Sequence, residues 1–223
     1  MIRDHKTVSI ADQIFEQLEH DILIGKYSRG EVLTEAALSA DLGVSRTPIR
    51  EALRRLEQEH IIQDTSRGSV VIGISREDMF DMYEIRIHTE GIAAARAAKN
   101  RTEEQLERMK EILDLQKYYI DKKSEGDVQQ NTDNIKNLDS QFHELLYNCS
   151  ASKAFVDTLL PLHRKMIKYR KASIKKHSRA TESWDEHFAI YEAIREKDFN
   201  TAAKRAREHV TNARDNIMNG DKE

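Results

Sequence analysis

Two side chains in the second half of this 223-residue chain have the types and spacing of metal ligands. Asp139 and His143 are four residues apart, so they would project from the same face of a helix. Leu138, Phe142 and Leu146 place that face on the apolar, inward side. A carboxylate and an imidazole need a partner there, because burying an unpaired polar group is unfavourable.

Two further histidines lie on apolar faces of later predicted helices. His187 shares a face with Ile190 and Ile194, and His209 lies in a stripe of alanines. Three neutral imidazoles and one carboxylate suit zinc, nickel or manganese better than calcium. The alternative is that these are hydrogen-bonded core residues without a metal. The other histidines, His163 among them, are expected in loops, exposed faces or basic surroundings. The predicted ligands are Asp139, His143, His187 and His209.

A metal held by these residues could also activate water, as in a metal-dependent hydrolase. The sequence offers no separate general base, nucleophile motif or phosphate-binding loop to accompany it. Cys149 likewise lacks a supporting set of residues. The sequence therefore gives only weak support to an enzyme, and a purely structural metal is a further possibility.

A second segment that could do chemistry is the run LGVSRTPIREALRRL at residues 42–56. Gly43 allows a tight turn after a short helix, and Ser45 or Thr47 can cap the helix that follows. Its apolar residues recur at helical spacing, whereas its arginines project from the other face. When such a helix lies in the major groove, its arginine side chains can donate two hydrogen bonds to a guanine. The alternative is an ordinary surface helix with solvated arginines.

The flanking sequence completes a winged helix–turn–helix over about residues 8–73. Gly25 closes a first amphipathic helix, and a short second helix runs from Thr34 to about Asp41. After the arginine-bearing helix, β-prone runs at 61–63 and 70–72 surround a turn and indicate a two-stranded wing.

Composition favours a largely helical, soluble protein of two domains. Only two prolines and eight glycines interrupt the chain, and helical periodicity continues through about six segments after Gly73. The predicted fold is mainly α, with a winged domain at 1–73 and an antiparallel all-α bundle at 74–223. A single cysteine, no signal-like start and no long apolar run predict a cytoplasmic protein without a membrane span. A net charge of −3 argues against indiscriminate coating of nucleic acid.

The N-terminal part resembles the GntR family of transcriptional regulators. The matching residues are Gly25-x-Tyr27-x-x-Gly30-x-x-Leu33-x-Glu35, Leu42 to Leu53, and Arg67-Gly68. One winged domain reads only a short half-site, so we expect a homodimer that binds a palindromic operator. Arg29 stands where the family often has proline and His60 where it usually has glycine, and both differences concern loops. The residues expected at the DNA are Ser45, Arg46, Thr47, Arg50, Arg54, Arg67 and Gly68.

The helical part resembles the FCD ligand-binding domain of the FadR subfamily of GntR regulators. In metal-containing members, the matching Asp and three His bind the ion, and a small carboxylate effector completes its coordination. The resemblance also assigns Arg86 to the effector pocket, where a guanidinium can bind a carboxylate bidentately. The alternative for Arg86 is a surface pair with Glu90. The matching residues are Asp139-x-x-Phe142-His143, Glu186-His187-x-x-Ile190-x-x-Ala193-Ile194-x-x-x-Asp198, and Ala202-Ala203 leading to His209.

Overall fold

A computed structural model of the chain describes residues 9–122, 128–173 and 179–220, without the side chains of 128–129, 168–173 and 219–220. The fold is mostly helical, as predicted. Two compact units are present, the first containing residues 9–76 and the second containing Glu77–Ile167 and the helices after residue 178. No helix in the described ranges is long and apolar enough to cross a membrane.

The first unit is a winged helix–turn–helix. Thr34 caps its second helix by accepting a hydrogen bond from the Ala37 N–H, and Gly43 ends that helix in the left-handed conformation with φ 66°. His60 also has a positive φ of 56°, at the loop position where a glycine was expected from the family pattern. The elements are α1 Ile10–Leu23, β1 Val32–Leu33, α2 Glu35–Leu42, α3 Arg46–Gln58, β2 Ile62–Thr65 and β3 Gly68–Val71.

The sheet has three strands in the order β1-β3-β2, all antiparallel, whereas the sequence predicted only two. The additional strand, β1, is two residues long, which is too short for an alternating pattern to be visible. Gly68 begins β3 with φ 129°, and a Cβ at this position would lie 2.7 Å from the carbonyl oxygen of Leu33. Close approach of β1 and β3 therefore requires a glycine at position 68.

The core of the first unit lies beneath α3. Ile49, Ala52, Leu53 and Leu56 are buried, as their helical spacing predicted. Each large aliphatic side chain buried in this way contributes roughly 1.5–3 kcal/mol. Arg55 connects α3 to α1 because it donates to Asp12 at 2.5 Å and lies over the ring of Phe15. This packing leaves the opposite face of α3 in solvent.

The second unit contains six helices in the described ranges, the number predicted. The sequence predicts that the second of these helices ends at Gly126 and the fourth at about His177, and both residues lie outside the described ranges. Pro161 lies inside α7. A proline in a helix interior removes a backbone hydrogen bond and predicts a bend there, which stays a prediction. The helices are α4 Arg76–Asn100, α5 Glu103–Asp121, α6 Val128–Cys149, α7 Lys153–Ser173, α8 Ala180–Arg195 and α9 Phe199–Gly220.

Small residues bring the helices of the second unit close together. Four alanines of α4 and two of α9 lie in its buried core. At Gly91 the contact with α9 is tight, because an added Cβ would lie 2.6 Å from the Arg207 Nε and 3.1 Å from the Ala203 carbonyl oxygen. This close contact holds α4, which carries the neighbouring residue Glu90, against α9.

Candidate functional site

The predicted DNA-contacting residues lie on the outward face of α3 and at the wing. Ser45 is the N-cap of α3 but makes no capping hydrogen bond through its side chain, and Thr47 lies inside the helix. All the side chains predicted for α3 are exposed: Ser45, Arg46, Thr47, Arg50 and Arg54. Their exposure and common origin on one helix fit a surface that can enter a groove.

The guanidinium of Arg50 is held by a carboxylate from the preceding helix. Its Nε and one terminal nitrogen donate to the two oxygens of Glu35 at 2.7 and 2.8 Å. The hydrogen bonds from Arg50 keep the pKa of the Glu35 carboxyl below its ordinary value. Because the Arg50 side chain remains 69% exposed, the pairing restricts its orientation without burying it.

The wing tip is the turn between β2 and β3. Thr65 fixes this turn, because its hydroxyl accepts from the Arg67 N–H and donates to the Gly68 carbonyl oxygen. Arg67 is exposed and Gly68 is half-buried. One cation therefore lies at the tip, as predicted.

Three predicted metal ligands meet in the interior of the second unit. His143 from α6, His187 from α8 and His209 from α9 are all nearly inaccessible to solvent. The Nε2 of His187 lies 3.2 Å from the Nε2 of His143 and 3.2 Å from the Nε2 of His209. We call these three residues the imidazole cluster, and their convergent nitrogens could hold a metal ion.

The fourth predicted ligand lies at the edge of the imidazole cluster. One carboxylate oxygen of Asp139 is 3.9 Å from the Nε2 of His187, and the Asp139 side chain is 19% exposed. Asp139 and His143 occupy successive turns of α6, so both approach the cluster from the same helix face. The structure thus brings all four predicted residues to one place.

Carboxylates that the sequence analysis did not select lie behind two of the imidazoles. The Nδ1 of His209 is 2.7 Å from Glu186 Oε2, and Arg179 and Asn212 donate to the same carboxylate. Glu186 comes directly before His187 on α8, yet its carboxylate contacts the ring of His209, which belongs to α9. A carboxylate at Nδ1 fixes the ring so that Nε2 is the free ligand atom.

The second such carboxylate is Glu90, whose Oε2 lies 3.5 Å from the Nδ1 of His143. Its other oxygen accepts from Arg86 at 2.5 Å and from the Tyr147 hydroxyl at 2.6 Å. The Arg86–Glu90 pair is therefore in the core, not on the surface as the alternative interpretation expected. Burial opposes ionisation of Glu90, but Arg86 and His143 hold its pKa well below the ordinary value.

His163 was wrongly set aside in the sequence analysis. It is 1% exposed, and its ring centroid lies 4.3 Å from that of His143. Its neighbours in sequence, Arg164 and Lys165, suggested a solvated face. The signal that could have found it is the spacing to Leu159 and Met166, which are both fully buried on the same side of α7.

Three of the buried histidines favour the neutral form. Burial lowers the pKa of His163, His187 and His209 well below the ordinary value, and the neighbouring imidazoles lower it further. Neutral imidazole is the form that ligates metal ions. The electrostatics around His187 and His209 therefore favour metal binding at neutral pH.

A winged helix–turn–helix followed by a helical domain with a buried polar centre is the organisation of a DNA-binding transcriptional regulator with an effector-binding domain. Residues 10–72 match the gntR family of bacterial regulatory proteins, and residues 81–212 match the FCD domain. The chain belongs to the GntR family and carries an FCD domain, and the proteins of these families are regulators, not enzymes.

Individual relatives agree with this classification. The gluconate operon transcriptional repressor of Bacillus subtilis is 27% identical, over 82% of this chain and 74% of its own. The transcriptional repressor RspR of Escherichia coli is 28% identical, over 92% of this chain and 87% of its own. The solved structure of E. coli McbR/YncC shares the fold, with a TM-score of 0.69 and 22% identity, and covers 97% of this chain and 100% of that one.

Proposed function

We propose that this protein is a ligand-responsive transcriptional regulator that senses a small organic acid at a metal site in its helical domain. The observation that carries the proposal is the convergence of three buried imidazole Nε2 atoms beside a carboxylate. The winged domain, residues 1–73, binds the operator, and residues 74–223 bind the effector. Effector binding favours one of two states that differ in operator affinity.

The residues that would hold the metal are Asp139, His143, His187 and His209. Two nitrogens bound tetrahedrally at about 2.0–2.1 Å are roughly 3.3 Å apart, close to the 3.2 Å spacing found here. The donor set suits zinc, and nickel or manganese are the alternatives. When bound, the ion supplies a Lewis-acidic position for the carboxylate of the effector.

Arg86 is the proposed second contact for the effector. Its Nε donates to Glu90 and one terminal nitrogen contacts the Met166 sulfur, a weak acceptor, at 3.8 Å, which leaves the other terminal nitrogen for an acidic ligand. Because one relative represses a gluconate operon, sugar acids are the first effectors to test.

At the operator, α3 and the wing would provide the contacts. Ser45 would contact the DNA backbone, and the wing would contribute Arg67 and Gly68. The residues of α3 that would contact bases or phosphates are Arg46, Thr47, Arg50 and Arg54. We expect the protein to act in the cytoplasm as a homodimer. The homodimer would supply two such surfaces, one for each half of a palindromic site. Sedimentation at concentrations that saturate the operator tests this, and a monomer bound tightly to the full operator would contradict it.

The proposal as a whole is tested on purified full-length protein. Metal content is measured first, and melting shifts are then measured against a panel of sugar acids and hydroxy acids, with and without a chelator. We expect a metal-dependent shift without turnover, and altered operator affinity in the presence of the same acid. Turnover of the acid would indicate a hydrolase-like activity, and bound metal without any ligand response would indicate a structural ion.

A further inference from the structure

The pair formed by Arg50 and Glu35 connects the two helices of the helix–turn–helix. Glu35 is the first residue of α2, directly after its cap Thr34, and Arg50 lies in the first half of α3. Leu38 of α2 and Ile49 of α3 are buried in the same core, so both helices are anchored beneath the pair. The carboxylate therefore contacts the guanidinium from a fixed backbone.

The two hydrogen bonds use one particular edge of the guanidinium. Arg50 donates through Nε to Oε1 of Glu35 at 2.7 Å and through Nη2 to Oε2 at 2.8 Å. A guanidinium presents its N–H groups in a planar fork, and the edge formed by Nη1 and Nη2 carries a second parallel pair of N–H groups. The pairing with Glu35 does not use that edge, and the Arg50 side chain remains 69% exposed.

The edge formed by Nη1 and Nη2 has the geometry that guanine requires. The O6 and N7 atoms of guanine are two adjacent acceptors in the major groove, and bidentate donation from an arginine or lysine is the commonest specific contact to them. An arginine that rotates freely can instead donate to a phosphate, and that contact carries no sequence information. Fixing the guanidinium of Arg50 therefore favours the contact that discriminates between bases.

A role in stability does not account for a carboxylate at position 35. A negative charge beside the recognition helix repels the phosphates of any DNA, whatever its sequence. Hydrogen bonds from Arg50 keep the pKa of the Glu35 carboxyl below its ordinary value, so this charge is present at neutral pH. An exposed ion pair adds little stability in return. Orientation of Arg50 is the benefit that remains, and it acts only on DNA with the matching base.

Direct contact between Glu35 and a base fits the geometry less well. A carboxylate can accept from the amino group of cytosine. Both carboxylate oxygens of Glu35, however, already accept from Arg50. A base would have to displace these charge-assisted hydrogen bonds. Glu35 is therefore better placed to act through Arg50.

We propose that Glu35 is a positioning residue that sets the base preference of Arg50, so that the pair selects a guanine in the operator half-site. The inference rests on the proposed contact between α3 and the major groove. It adds a residue that the sequence analysis did not assign to DNA recognition. Loss of Glu35 then lowers discrimination between bases without lowering the general attraction to DNA.

The test uses a pool of synthetic DNA duplexes with a randomised centre, so that no operator sequence has to be known. Full-length protein is mixed with the pool at fixed salt, and sequencing of bound and free duplexes gives the base preference at each position. We expect the wild type to prefer guanine at a position where Arg50→Ala has lost that preference. Glu35→Gln should lower the preference at the same position by about fivefold or more, and Glu35→Ala, which removes both acceptors, by more still.

Binding to a duplex of scrambled sequence separates positioning from charge. Glu35→Gln should bind this duplex as tightly as the wild type or more tightly, since it has lost a charge that repels phosphates. An equal gain in affinity for selected and scrambled duplexes, with the guanine preference intact, would mean that Glu35 acts only through its charge and would overturn the inference. An equal loss for both duplexes would indicate a structural role and would also overturn it.

A double variant assigns the effect to the pair. In the Arg50→Ala background, Glu35→Gln should leave the remaining base preferences unchanged, because no guanidinium is left to position. Glu51→Gln removes a carboxylate from an exposed position of α3 and is the matched control, which should keep the guanine preference. A further change of preference in the double variant would overturn the assignment to Arg50. If Arg50→Ala itself keeps every preference of the wild type, the proposed base contact of Arg50 fails, and this inference fails with it.

Discussion

The Arg50 guanidinium and the Glu35 carboxylate share two hydrogen bonds across the helix–turn–helix, at 2.7 and 2.8 Å. Exposed pairs of this kind contribute little to stability, typically less than about 1 kcal/mol. Their effect is on orientation, because the planar fork of the guanidinium is fixed relative to α2 before DNA arrives. An arginine that is already oriented loses less conformational entropy when it contacts a base.

Replacing Arg50 should weaken operator binding without unfolding the protein. We expect Arg50→Ala to cost about 1–3 kcal/mol in specific operator affinity at fixed salt, as for loss of a bidentate base contact. Fluorescence anisotropy with labelled operator measures the effect. Arg205→Ala removes the same charge from an exposed position of α9 and is the control. Unchanged affinity in both Arg46→Ala and Arg50→Ala would contradict the assignment of α3 as the recognition helix.

Replacing His187 should separate sensing from DNA binding. His187→Ala removes the imidazole whose Nε2 lies within 3.2 Å of both other rings, so metal content and the effector response should fall together. Basal operator affinity should persist, because the winged unit has its own core. His88→Ala is the control for loss of an exposed histidine. Normal metal content in His187→Ala would mean that the ion, if present, is held elsewhere.

The carboxylate behind His209 should tune metal affinity. Glu186→Gln removes the charge 2.7 Å from the Nδ1 of His209 and should weaken zinc binding by about 10–100-fold, as for other carboxylates that orient a ligating histidine. Competition with a zinc chelator measures the change. Glu192→Gln lies on the same helix in a surface pair with Arg195 and should leave zinc affinity unaltered. Equal affinity of both variants would show that Glu186 does not orient the ligand.

The buried Arg86–Glu90 pair should be sensitive to loss of one partner. Arg86→Met leaves the Glu90 carboxylate uncompensated in the core and should lower the free energy of unfolding by roughly 3–5 kcal/mol at neutral pH. The double change Arg86→Met with Glu90→Leu should recover most of this loss. Urea unfolding followed by the fluorescence of Trp184, the single tryptophan and part of α8, measures both variants. No recovery in the double variant would contradict this account.

Acid should destabilise the metal-free helical unit. Burial, with the neighbouring imidazoles, lowers the pKa of His187 and His209 in the folded protein, whereas the unfolded chain titrates near 6.5. Below about pH 6.5 the unfolded chain therefore binds more protons than the folded protein. The free energy of unfolding decreases as the pH is lowered, until the folded pKa values are reached. Trp184 fluorescence in urea at pH 7.5, 6.5 and 5.5 tests this. Constant stability across that range would refute it.

The fold of the winged unit was largely predictable from sequence. Ile49, Ala52, Leu53 and Leu56 recur at helical spacing, and this periodicity identified the buried face of α3 and left the arginines outside. Strand β1 could not be predicted in the same way, because its two residues pair with a distant strand and carry no repeat of their own. Short elements are fixed by tertiary pairing more than by local pattern.

The imidazole cluster was also predictable, since each of its members stands on an apolar face where a polar side chain is conspicuous. The residues that surround the imidazole cluster were not predictable in this way. Glu90 lies 53 residues from His143 in sequence, and only the packing of α4 against α6 brings them within 3.5 Å. His163 was hidden for a different reason, because the basic residues beside it dominate the local pattern although its own face of α7 is buried.

Gly91 shows how such a site constrains positions that never touch a ligand. An added methyl group there would meet the Ala203 carbonyl oxygen at 3.1 Å as well as the Arg207 side chain, and backbone cannot move aside as a flexible side chain can. Gly91 follows Glu90, and Arg207 precedes His209 by two residues. Any movement of the backbone at this contact would therefore displace both Glu90 and His209. Sequence drift at this position is therefore restricted by geometry alone. A change as small as Gly91→Ala, neutral in charge and polarity, would therefore disturb the packing of α4 against α9.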